Sequence, residues 1–134
     1  MAAAFTFPLA LSFAPKAHAQ GKPLACQFIV NAGLDWEQGR WNVRRFVLPP
    51  PFILVLKGEE IDPASVSRPL GTTAACVKPD SVFQRTYCYS EFGGYLMFNH
   101  RTNQGAVSQT LGAEADGDGR RDSLFVSPFS CSPY

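Results

Sequence analysis

Charge is scarce in this sequence. Only 17% of its 134 residues are Asp, Glu, Lys or Arg, and twelve basic against eleven acidic side chains leave a formal charge of +1. So even a balance supplies no basic field for DNA or RNA and no acidic tail, and no nucleic-acid partner is expected. Histidine is rarer still, with two residues, His18 and His100. No Cys-x-x-Cys, phosphate loop or dinucleotide fingerprint occurs, so neither a metal nor a cofactor is expected. Helical periodicity is hard to find. Beyond the N-terminal run, no stretch approaches the ~20 apolar residues that a membrane-spanning helix needs. What is plentiful is apolar: 46% hydrophobic and 13% aromatic residues argue against disorder, and the length suits one domain.

Residues 1–19 read as a secretory signal peptide. An uncharged run of Ala, Phe and Leu from Ala2 to Ala14 is followed by Ala17-His18-Ala19, a small-x-small site. Cleavage is predicted after Ala19, leaving residues 20–134 as a single β-rich domain. Lipidation of Cys26 is not expected, because Lys16, Gln20 and Lys22 interrupt the approach to it. The destination is a periplasm or the cell exterior.

Four cysteines, Cys26, Cys76, Cys88 and Cys131, follow that segment. An even number in a short exported domain reads as two disulfides, with three possible connectivities. Cys76–Cys88 with Cys26–Cys131 is the preferred pairing, since the first closes a short loop between strand-like segments and the second ties the first strand to the last. Pairing of Cys26 or Cys131 with a middle cysteine remains open. On the loop-entropy account the preferred bridges contribute ~3 and ~4.7 kcal/mol. Cysteines so paired are not nucleophiles.

The rest of the chain alternates with period two. Cys26, Phe28 and Val30 share a face, and Asn31 to Gly39 reads as a connection. Trp41 and Val43 begin a strand whose phase shifts at Phe46, which predicts a bulge near Arg44-Arg45. Pro49-Pro50-Pro51 ends it. Phe52 to Leu56, apolar at every position, reads as a strand covered on both faces. Gly58 to Pro79 is irregular, with room for a short strand or helical turn. Val82 to Tyr89, Tyr95 to Phe98, Ala106 to Leu111 and Leu124 to Phe129 complete the count, the middle pair forming a hairpin over residues 99–105. Six to seven short strands, stapled by disulfides, predict an all-β antiparallel barrel or sandwich.

Few residues could carry chemistry. Asp116-Gly117-Asp118-Gly119-Arg120-Arg121-Asp122 places carboxylates at alternate positions, as calcium loops do, but arginines occupy the ligand and glycine positions, so a solvated loop is expected. His100 sits in a turn with no identifiable nucleophile and reads as a surface residue. Glu59 and Glu60 would point to opposite faces if extended and do not form a catalytic pair. No catalytic residue is assigned and no enzymatic activity is expected. Trp36 and Arg40 are the candidate binding residues, because Trp and Arg are enriched at recognition hot spots. Trp41 is expected in the core beside Val43.

Gly39-Arg40-Trp41 is similar to the Gly-x-Trp at the first strand of lipocalins, themselves exported barrels. Tyr95-Leu96-Met97-Phe98, Thr102-x-x-Gly105, Gly112, Asp122-x-Leu124-x-Val126 and Cys131 resemble the ending of uncharacterised small secreted bacterial proteins, a likeness that implies export and no activity. Cysteine-stapled barrels of this size also include the small periplasmic lysozyme inhibitors. The expected function is binding of a ligand, envelope component or partner protein, with inhibition of a secreted or host hydrolase as the alternative.

Overall fold

The computed structural model of the chain describes residues 21–110 and 121–134. The signal-peptide segment and residues 112–120 of the acidic glycine loop therefore lie outside the described residues. Among the described residues ten strands and one helix follow in the order β1 (Lys22–Phe28), β2 (Ala32–Glu37), β3 (Arg40–Arg45), β4 (Phe52–Lys57), β5 (Glu60–Ile61), α1 (Pro63–Leu70), β6 (Ala74–Val77), β7 (Arg85–Ser90), β8 (Gly94–Asn99), β9 (Gln104–Gln109) and β10 (Leu124–Pro133). They form one antiparallel sheet in the order β5-β4-β1-β10-β9-β8-β7-β6, with β2 and β3 branching from β10. The expected all-β class holds, with more strands than the six or seven expected.

The sheet curls into a nearly closed barrel. Its two ends, β4–β5 and β6, are bridged by α1, which packs against β4, β6, β7 and β8. Lys78 and Glu60 add an ion pair of 3.0 Å between the segments on either side of that seam. Local chemistry makes α1 where an irregular stretch was expected. Asp62 caps it by accepting a hydrogen bond from the Ala64 N–H, Pro63 fills the first turn, and Gly71 ends it in the left-handed conformation. Val66 and Leu70, four residues apart, turn one helical face to the core.

The interior is aromatic. Phe129 meets Phe52 and Phe28 edge-on, at 5.2 and 5.9 Å between ring centroids, and stacks on Phe98 at 6.4 Å. Leu24, Leu54, Leu96 and Val107 complete the core around them. Gly105 is what lets Phe129 lie flat against β9: a Cβ there would come within 2.4 Å of the ring. The disulfides are Cys26–Cys131 and Cys76–Cys88, each joining directly opposite residues of neighbouring strands. This is the preferred connectivity.

Several local expectations are corrected. Asn31 to Gly39 is mostly strand β2, and β3 pairs with it in unbroken register from Arg40 to Arg45. That register continues through the Phe46 N–H bond to the Asn31 carbonyl, so no bulge lies at Arg44-Arg45. The extra residue is instead on the other side, between β1 and β2, whose pairing with β10 slips by one between Phe28↔Phe129 and Ala32↔Val126. Asn31 occupies this break. Its side chain donates to the Val47 carbonyl and accepts from Ser127 Oγ, both at 2.8 Å. Phe52–Leu56 is not doubly covered, since Ile53 is 39% exposed. Strand β7 starts at Arg85 rather than Val82, after a turn in which Gln84 takes a positive φ of 51°.

Candidate functional site

Strand β10 has two neighbours along one edge. Its C-terminal half pairs with β1, and its first three residues pair with β2 at Ala32, Gly33 and Leu34. Beyond Leu34, β2 leaves the barrel and pairs with β3 alone, forming a two-stranded arm. Gly33 permits the crossing, because a Cβ there would collide with the Leu124 carbonyl and the Phe125 backbone. The arm closes in two residues, Gln38 and Gly39, both with positive φ (53° and 76°), the type I′ geometry whose twist matches that of the flanking strands.

Trp36 and Trp41 are direct partners on this arm. Their rings meet edge to face with centroids 5.1 Å apart, and the Arg121 guanidinium lies over the Trp36 ring at 4.8 Å. Both rings are half-buried. Trp41 is thus not in the core: among the described residues β3 pairs with β2 alone, and Val43 beside it is 85% exposed. Arg40 is exposed and pairs in register with Glu37 at the tip. The opposite face of the arm is charged. Arg44 bridges to Glu37, and Ser123 Oγ donates to Asp35 at 2.7 Å, tying the arm to the start of β10. The Glu37 and Asp35 carboxylates raise the Arg44 pKa further above its ordinary value.

The face carrying the tryptophans continues onto the barrel. In-register neighbours run Tyr89, Tyr95, Ser108, Val126 and Ala32 across β7, β8, β9, β10 and β2. Tyr87, Tyr89, Tyr95 and Val126 are all exposed. The chain therefore presents an aromatic outer surface ending in the Trp arm. Sequence reasoning singled out Trp36 and Arg40 yet missed the tyrosines as surface residues; the period-two spacing of Tyr87 and Tyr89 in β7, with Tyr95 on β8, was the available signal.

His100 lies at a second place, a polar depression of about 370 Å³ lined also by Gly58, Glu59, Asp80, Ser81 and Gln84. It is half-buried rather than on the open surface, with its edge against Phe98 and its Nε2 2.7 Å from Thr86 Oγ1. Burial pushes its pKa below the ordinary imidazole value, and the Glu59 carboxylate pulls weakly the other way. Thr86 is 1% exposed and cannot reach a substrate. Asp80 is occupied in its own turn, accepting from the Val82 and Phe83 N–H groups. Asp80 and the His100–Thr86 pair thus hold the β7 entry turn. Glu60 pairs with Lys78 while Glu59 faces His100, so the two adjacent carboxylates do separate.

Among the described residues no cluster of three His, Cys, Asp or Glu side chains could hold a metal, and no helix is long and apolar enough to cross a membrane. Gly39-Arg40-Trp41, the lipocalin-like triplet, falls at the arm's turn and the start of β3, whereas the first strand is β1. The sequence matches no family model, and no curated protein and no solved structure shows a significant match to it.

Proposed function

We propose that this chain is an exported, non-enzymatic binding domain that recognises a partner protein through the β2–β3 arm. The observation that carries the reading is the placement of Trp36 and Trp41: two large rings packed on each other outside the core, near the end of an arm whose other face carries Arg40, Arg44 and Glu37. Trp is among the residue types most enriched at binding hot spots. The tight turn and cross-strand pair hold the arm in one conformation, which lowers the ordering cost of association. Two disulfides are consistent with an oxidising compartment. Export through residues 1–19, with cleavage after Ala19, belongs to the same proposal, and the intact mass of the exported protein tests it.

The sequence contains two tryptophans, Trp36 and Trp41, so intrinsic Trp emission reports on the arm alone. The test places a photo-crosslinker at Arg40 and, as control, at Lys57 on β4. Support is a protein adduct formed from Arg40 and not from Lys57, whose purified partner shifts the Trp emission and loses affinity for Trp36→Ala. Identical adducts from both positions, or a partner indifferent to Trp36→Ala, overturn it. The alternative, inhibition of a secreted hydrolase, draws on the same projecting arm. It requires stoichiometric inhibition of a lysozyme or related hydrolase that Trp36→Ala abolishes.

A further inference from the structure

One mouth of the barrel is open and apolar, and among the described residues lining it the charge is of one sense only. Phe28 and Phe52 lie at this opening, with Val107 and Phe125 beside them, and Pro69 and Arg68 of α1 also line it. We propose that this mouth binds a small monocarboxylate whose apolar body is about the size of one aromatic ring, with Arg68 holding the carboxylate. The site is separate from the Trp arm and independent of the partner proposed for it.

Three observations carry the assignment. The depression measures about 170 Å³, and a second of about 260 Å³ shares Arg68, Pro69, Val107 and Phe125 with it. An apolar cavity of roughly 150 Å³ in another protein accommodates benzene, so a single ring is the right scale and a long acyl chain is not. Among the described residues neither depression is lined by an Asp or Glu. Arg68 is exposed in the last turn of α1, and its guanidinium makes no ion pair or hydrogen bond among the described residues. The C-terminal end of a helix carries only about half a negative charge, which leaves Arg68 a net cation at the rim. The one hydroxyl in the smaller depression, Ser127 Oγ, already donates to Asn31 Oδ1. A ring inserted beside Phe28 and Phe52 would thus meet apolar walls, and its anionic substituent one cation.

The test uses the full disulfide-bonded protein, labelled with ¹⁵N, titrated with phenylacetate and followed by backbone amide shifts. Saturable shifts at Val107 and Phe125 are expected. The neutral isostere phenylacetamide should bind about ten- to a hundredfold more weakly, as loss of a charge-assisted hydrogen bond requires. Arg68→Gln changes an exposed side chain and should leave the spectrum dispersed while weakening phenylacetate by the same factor. Absence of saturable shifts, equal binding of acid and amide, or unaltered binding by Arg68→Gln overturns the proposal.

Discussion

Trp36 and Trp41 pack edge to face across the β2–β3 arm, 5.1 Å between centroids, with the Arg121 guanidinium over both rings and neither ring in the barrel core. A residue placed this way contributes through its pair. Trp41→Ala should therefore cost about 1 kcal/mol, far from the ~3–5 kcal/mol of an aromatic deletion from a core. Trp36→Ala should cost about the same, and a double-mutant cycle should return a coupling of ~0.5–1.5 kcal/mol. Urea midpoints of the two single variants and the double variant check this.

Gly105 lies under Phe129 on β9, where a methyl group would meet both the ring and the Met97 carbonyl. Since Phe129 is at the centre of the phenylalanine cluster, its displacement disturbs Phe28, Phe52 and Phe98 together. Gly105→Ala should destabilise the fold by about 1–3 kcal/mol, as overpacking does. The same substitution at Gly39, where a Cβ meets nothing, acts only through its positive φ and should cost less.

The two bridges differ in what they constrain. Cys76–Cys88 closes a separation of 12 residues and Cys26–Cys131 one of 105. Replacing the first pair with serines should lower stability by ~3 kcal/mol and the second by ~4.7 kcal/mol on the loop-entropy account. Chemical denaturation of the two double variants gives the order, and a larger loss from Cys76–Cys88 would show that chain entropy does not dominate.

The fold class, both disulfides and the C-terminal hairpin were legible because they rest on local alternation and cysteine spacing. Strand β2 was not. Gly33 and Asp35 looked like turn residues, whereas Gly33 is small because β10 crosses it at Leu124 and Phe125, a contact far away in sequence. The true turn uses Gln38 in a left-handed conformation, which composition does not announce. Helix α1 carried readable signals in Asp62-Pro63 and Gly71, but Pro69 inside it masked the period. Trp36 and Arg40 were singled out from residue type alone. The core assignment of Trp41 failed because alternation identifies a shared face and not what covers it.

His100 gives the fold a pH dependence near neutrality. In the unfolded chain its imidazole titrates near ~6.5. In the fold, burial beside Thr86 and Phe98 lowers that pKa, more than Glu59 raises it. Between the two values the unfolded state binds a proton that the native state does not, so stability must fall as pH drops through this window. Its contribution is fully present above the unfolded pKa and is lost towards and below the folded one. Asp62, whose pKa Lys57 holds below the ordinary carboxylate range, acts in the same direction but only at lower pH, where carboxylates protonate. The urea midpoint should therefore decline from pH 7.5 to 5.5 in the wild type. His100→Gln retains a hydrogen-bonding group for Thr86 but cannot titrate, and should flatten that decline while leaving the acid limb governed by Asp62. An unchanged slope in His100→Gln would place the titration on another group.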